Sequence, residues 1–130
     1  MIYGVGTDVV EIERIEQALA RFGDRFARRI LCAPELSRFK NHRMPAAYLA
    51  KRFAAKEAFT KALGTGIRAP ANWHGVWVEN LPSGKPVLRF SVSLEKLLQD
   101  REIRSSHLSL ADERGMAMAT VILECRAGAE

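Results

Sequence analysis

The stretch from Pro45 to Leu63 constrains the fold more than any other part of this chain. PAAYLAKRFAAKEAFTKAL has no glycine or proline in its interior and opens on Pro45, a residue suited to a first helical position. Gly64 follows where a left-handed C-terminal cap is wanted. The pattern predicts one long helix. At about 100° per residue, Ala50, Ala54 and Ala58 share a side with Glu57 and Lys61. The bulky Tyr48, Leu49, Phe53, Phe59 and Leu63 lie mostly opposite, interrupted by Arg52 and Lys56. A strip of alanines admits close approach by another backbone or by a ligand. This helix is therefore contacted on more than one side.

The flanking segments supply what packs on it. Ile2 to Thr7 alternates weakly and carries Gly4 and Gly6, which predicts a short strand that other backbone approaches closely. Ile12, Ile15, Leu19 and Phe22 recur at helical spacing, Gly23 punctuates, and GDRFARRIL continues as a second short helix. Pro34 opens another, with Leu36 and Phe39 facing inward. After the loop GTGIRAPANWHG, Val76 to Leu81 and Pro86 to Ser91 read as strands joined by PSGK, and Leu94 to Gln99 as a short helix. His107 to Ala111 and Met116 to Cys125 form a closing hairpin around DERG. Its second strand is apolar on both faces and hence central. No repeat or linker divides the 130 residues. The expectation is one α+β domain over residues 1–130, a long helix packed on a mainly antiparallel sheet.

Composition narrows the class. With 48% hydrophobic and 27% charged residues, the chain is an ordinary globular one. Its longest apolar run, Met116 to Leu123, is far short of the roughly 20 residues of a membrane-spanning helix. The start, MIYGVGTDVVEIERI, has neither a basic leader nor a small-residue cleavage site, so no membrane and a cytoplasmic setting are expected. Cys32 and Cys125 lack metal-ligand spacing and read as buried thiols in a reducing compartment. The net charge of +5 favours an acidic partner without naming it. A nucleic-acid-binding module would use the same charge. Against it, the chain has no recognition motif and no aromatic platform among its arginines.

Two carboxylates draw attention. Glu57 and Lys61 fall within about 40° of each other on the alanine side of the long helix. A solvent-exposed pair four residues apart has the same spacing. Asp8 follows the first strand, where it also suits a helix N-cap. Together the two carboxylates could grip a hard cation such as magnesium, which takes one or two of them with waters and substrate phosphate oxygens. Spacing makes their meeting possible and no more. GVG at Gly4 to Gly6 lacks the third glycine of a dinucleotide fingerprint, and GTG at Gly64 to Gly66 is no Walker loop. His42, His74 and His107 have no zinc-ligand spacing. His107 shares a strand face with Ser109 and is placed either to reach a site or to serve as a buried structural histidine.

Two longer segments then carry a resemblance. GVGTDVVEIERI (Gly4 to Ile15) and RFAAKEAFTKALGTGI (Arg52 to Ile67) are similar to the signature segments of holo-acyl-carrier-protein synthases, the small single-domain class of phosphopantetheinyl transferases. HLSLADERGMAMATVI (His107 to Ile122) resembles that family's closing hairpin, and the GKP turn at Gly84 to Pro86 also fits. Met116 stands where relatives often carry an aromatic. The resemblance implies transfer of the 4′-phosphopantetheine arm of coenzyme A to a serine of apo acyl carrier protein. Adenosine 3′,5′-bisphosphate is released, in support of fatty acid and lipid synthesis. Asp8 and Glu57 would hold magnesium and Lys61 would serve the phosphates, these three forming the catalytic set. Coenzyme A would be lined by Arg52, Lys61, Gly64, Thr65, Gly66, Lys85, Pro86 and His107, with Arg43 a further contact to the nucleotide's extra phosphate. A metal-bound water, Glu57 or Glu35 would take the serine proton.

The resemblance also implies a homotrimer with each site shared between subunits. One subunit would supply Asp8 and Glu57 and the next would line the nucleotide, the GKP turn and His107 included. Acyl carrier proteins are acidic, so a basic face should receive them. Arg14, Arg21 and Arg28 recur every seven residues with Arg25 between. They form one stripe if the helix runs unbroken, although Gly23 sits within it.

Overall fold

A computed structural model describes residues 1–127. In chain order the elements are β1 (Ile2–Glu11), α1 (Ile12–Phe22), α2 (Asp24–Ile30), α3 (Ala33–Lys40) and α4 (Pro45–Leu63). They continue with β2 (Val76–Asn80), β3 (Pro86–Phe90), α5 (Val92–Asp100), β4 (Ile103–Glu113) and β5 (Met116–Cys125). The strands form two antiparallel sheets, one in the order β1-β5-β4 and the other the β2-β3 hairpin. The β5 strand is central, as its apolar run requires.

The α4 helix is the axle of the molecule. One core lies between it and the sheets, where Ala54, Ala55, Ala58, Phe59 and Leu63 meet Val76, Val78, Leu88, Leu94, Val121 and Leu123. A second core lies at its N-terminal half, where Tyr48, Leu49 and Ala50 meet Ile15, Ala27, Ile30, Leu31 and Phe39. A helix buried on most of its circumference shows no single apolar stripe, which is the mixed pattern its sequence displays. The Gly64 residue ends it at φ 89°, its N–H bonded to the Thr60 carbonyl.

The alanine strip is covered by β1. From Gly4 onward the even-numbered residues of that strand face α4, and a Cβ on Gly4 would strike the Ala62 carbonyl oxygen, one on Gly6 that of Ala58. Glycine on one side and alanine on the other let two backbones touch. The same alternation turns Val5, Thr7 and Val9 away from α4, and Val5 and Val9 are among the exposed large apolar residues.

The structure corrects two boundaries. Strand β1 runs past Thr7 to Glu11, because its ladder with β5 continues as far as Glu11 opposite Met116. Asp8 therefore lies within the strand, opposite Ala119, and is not a helix cap. The N-cap position of α1 is Glu11, whose side chain makes no capping bond. Strand β4 likewise extends the expected His107–Ala111 at both ends, through pairing with β5. Among the described residues, no helix is long and apolar enough to cross a membrane. Cys32 and Cys125 form no disulfide, and Cys32 is only half-buried, contrary to the expectation of burial for both.

Candidate active site

Asp8 is the next inward-facing residue of β1 after Gly6. Since Gly6 touches Ala58, the strand delivers Asp8 to the stretch of α4 that carries Glu57 and Lys61. Lys61 Nζ donates to Asp8 Oδ1 at 3.1 Å and to the Thr7 carbonyl at 3.0 Å. The ion pair of Lys61 thus runs across to the strand, not to Glu57 one turn back on its own helix. Asp8, Glu57 and Lys61 line one cleft of about 450 Å³, whose other walls are Val9, Val10, Arg14, Ile15, Phe26 and Phe53. Burial, and then the neighbouring Asp8 charge, raise the Glu57 pKa above the ordinary carboxylate value, while Lys61 opposes the rise.

A strand carboxylate whose charge is felt by the helix carboxylate gives, with it, a donor set that could hold a hard divalent ion. Among the described residues, no cluster of three or more His, Cys, Asp or Glu is assembled, so a closed all-protein cage is not built. An ion held here would take its remaining ligands from water and from a substrate. That is the habit of magnesium beside phosphates.

The other predicted contacts, Arg14 apart, lie elsewhere on the chain. Arg52 sits nine residues before Lys61, about 180° round α4. It is 4% exposed, lies over the Tyr48 ring, and donates from Nη2 to Asn80 Oδ1 at 2.6 Å. Its buried Nε has no hydrogen-bond partner. Asn80 in turn donates to the Gly84 carbonyl, so Arg52 adjoins the β2–β3 turn that carries Lys85 and Pro86. His107 pairs in register with Ile122 and is exposed on the sheet face turned away from α4, bonded to Glu124 at 2.6 Å. Gly64, Thr65 and Gly66 follow the C-terminus of α4, with Gly66 also at positive φ. Arg43 is exposed just before α4. Arg14 and Arg21 are on α1, whereas Arg25 and Arg28 are on α2, and Gly23 at φ 64° breaks the expected stripe.

Sequence reasoning missed a buried ion pair behind the cleft. Lys56 and Glu35 have fully buried side chains, 2.7 Å apart. The Lys56 ammonium also donates to the Ile30 and Trp73 carbonyls, and the Glu35 carboxylate accepts from the Cys32 and Val78 N–H groups. Glu35 is therefore excluded as a proton acceptor for substrate, being enclosed and fully engaged. The signal available in the sequence was Lys56 interrupting the apolar side of α4. The aromatic wall of the cleft was also missed: Phe53 stacks on Trp73, 5.1 Å between centroids.

A strand carboxylate, a helix carboxylate and a lysine one turn further on thus lie together in one cleft. Residues 4–121 match the model of the 4′-phosphopantetheinyl transferase superfamily, and the chain belongs to that family. Within it, a holo-[acyl-carrier-protein] synthase of Pseudoalteromonas atlantica is 53% identical over 123 residues, covering 95% of this chain and 97% of that one. The crystal structure of holo-[acyl-carrier-protein] synthase from Neisseria meningitidis matches with a TM-score of 0.93 at 44% identity, over 95% of this chain and 99% of that one. A holo-(acyl-carrier-protein) synthase from Bacillus anthracis, crystallised in complex with CoA (3′,5′-ADP), matches with a TM-score of 0.82 at 37% identity. It covers 97% of this chain and 99% of that one.

Proposed function

We propose that this protein transfers 4′-phosphopantetheine from coenzyme A to a serine of apo acyl carrier protein, releasing adenosine 3′,5′-bisphosphate, as a cytoplasmic step serving fatty acid synthesis. The observation that carries the reading is the convergence of Asp8, Glu57 and Lys61 on one cleft in a chain of this family. Attack by a neutral hydroxyl on a diphosphate builds charge on the transferred and leaving phosphates. Catalysis of such a step is chiefly positioning and charge stabilisation. Magnesium, held by Asp8 and Glu57, would supply a Lewis acid for the pyrophosphate. Lys61 contributes a mobile positive charge, and the apolar wall of Phe26 and Phe53 keeps water from part of the cleft. The test is mass spectrometry of an apo carrier protein incubated with coenzyme A, magnesium and the enzyme. A gain of one phosphopantetheine mass is expected, and an unmodified protein under all conditions refutes the reading.

We further infer that the working form is a homotrimer with shared sites. Arg52, Lys85 and Pro86 lie beyond α4 from Lys61, and His107 lies on the far face of the sheet from Asp8. One extended ligand meets both groups most directly if a neighbouring subunit brings the second. The outward face of β1 and β5 exposes Val5, Val9 and Met118, apolar surface suited to such a neighbour. Arg14, Arg21, Arg25 and Arg28 are the surface for the acidic carrier protein, divided between two helices that meet at Gly23. Sedimentation showing an active monomer at assay concentration contradicts the shared site.

A further inference from the structure

The acidic pair carries its own counter-ion. The ammonium of Lys61 rests on Asp8 Oδ1 and on the carbonyl of the preceding residue, Thr7, so two of its three N–H bonds are spent on β1. The pair holds together two side chains of unequal freedom: Asp8 is 16% exposed and Lys61 53%. Asp8 is fixed in a paired strand. Lys61 reaches it on a flexible stem from a helix and lies open to solvent, so it is the partner that can leave.

We propose that Lys61 acts as an exchangeable cation, occupying Asp8 until a divalent ion takes its place and then turning to the phosphates of the ligand. The inference rests on the metal reading above and adds an order of events to it. An ammonium on Asp8 Oδ1 competes with an incoming cation twice, by engaging the oxygen and by repelling the ion. Its departure leaves a cation four residues from Glu57 on the same helix face, where a phosphate bound beside the carboxylates can engage it. Coupling of this kind is reciprocal. Metal binding frees Lys61 for phosphate, and a phosphate that draws Lys61 away tightens the metal.

The consequence runs against what a simple ligand-binding lysine would show. Removing the charge should improve metal binding while it harms turnover. Mn²⁺ binding to the full chain, measured from the electron paramagnetic resonance of the free ion without nucleotide and at low ionic strength, reads this directly. Lys61→Met is expected to tighten Mn²⁺ about two- to fivefold, the size of an exposed ion pair. Lys61→Arg, which keeps a cation on Asp8, should stay close to wild type, and Glu57→Gln should remove most binding. Thermal melts confirm that each variant is folded. Unchanged or weaker binding in Lys61→Met, with binding still dependent on Glu57, overturns the exchange and leaves the metal site standing. Equal tightening by Lys61→Arg also overturns it, since charge would not be the cause. If no Glu57-dependent binding occurs in any variant, exchange and metal reading fall together.

Discussion

Lys56 and Lys61 stand five residues apart on one helix, and each pairs with a carboxylate from another element. The likeness ends there. Lys56 is sealed in, its ammonium meeting Glu35 and two carbonyls, and Glu35 accepting two backbone N–H groups besides. Every polar atom of that network is satisfied, and it ties α2, α3, the segment before β2 and β2 itself to α4. Lys61 has two partners, half its side chain in water, and next to it a glutamate held above its ordinary pKa. The first pair has no reach and no spare valence, so its work is to hold the helix in place. The second has an unstable charge balance and room for a ligand. Residue type alone distinguishes neither; burial and saturation do.

The largest effect is expected at the two carboxylates of the cleft. Asp8→Ala or Glu57→Ala should reduce transfer to background, because either change leaves one carboxylate to hold an ion that already prefers its waters. Both positions are open to the cleft, so the melting temperature should change little. Wild-type turnover in either variant, with magnesium limiting, would remove the pair from the site. On the buried side the expectation inverts. Lys56→Met strands the Glu35 carboxylate in the core and should cost about 3–5 kcal/mol of stability, read by chemical denaturation. Lys61→Met should cost less than about 1 kcal/mol. The double change Lys56→Met with Glu35→Met should recover much of the loss, since a buried pair replaced by apolar residues of similar volume is often neutral. No recovery would mean that the N–H groups of Cys32 and Val78 dominate the network.

These two sides were unequally legible. Gly64 after a run without breakers announced the end of α4, and Gly4 and Gly6 announced a strand that other backbone approaches closely. Both are covalent facts about which residue fits. The extent of β1 was not legible, because Val9, Val10 and Glu11 become strand only through their ladder with β5 more than a hundred residues away. The Lys56–Glu35 pair was hidden for a related reason. A lysine reads as solvated unless partners from three other segments are already folded round it. Asp8, Glu57 and Lys61 were singled out through the family resemblance and do share one cleft, while their spacing alone permitted ordinary solvated roles. The division of the arginines between α1 and α2 turned on one glycine, whose presence was visible and whose φ was not.

The arginines are divided between the cleft and its approach. Arg14 lines the cleft itself, whereas Arg21 lies at the far end of α1 with its guanidinium over Phe22. Arg14→Glu and Arg21→Glu should each raise the apparent Michaelis constant for the carrier protein by about three- to tenfold at low salt. Coenzyme A affinity should be nearly unchanged for Arg21→Glu and somewhat weaker for Arg14→Glu. Wild-type transfer should slow as salt rises, with the variants responding less, since screening acts within about 8 Å at physiological ionic strength. Carrier kinetics untouched by both reversals at low salt would place docking elsewhere.

The smallest effect expected is also the most specific to the open side of α4. In the folded chain Glu57 is pushed upward first by burial and then by Asp8, with Lys61 opposing. Unfolding removes all three influences. Between the ordinary glutamate value of about 4.3 and the raised value, the native state therefore holds a proton that the unfolded chain has lost. Stability falls as pH rises through that window, and at neutral pH the ionised Glu57 is a net cost to the fold. Glu57→Gln should consequently raise the melting temperature at neutral pH without divalent ions, by about a degree or two. The gain should fade as pH drops below the ordinary glutamate value, where both proteins are neutral at this position. Saturating magnesium should reverse the order, because an ion that binds only the ionised native carboxylates stabilises wild type and not the variant. A Glu57→Gln protein that melts below wild type at neutral pH without metal would show that Lys61 outweighs burial and Asp8. The open pair would then be a stabilising one, closer in kind to Lys56 and Glu35 than its exposure suggests.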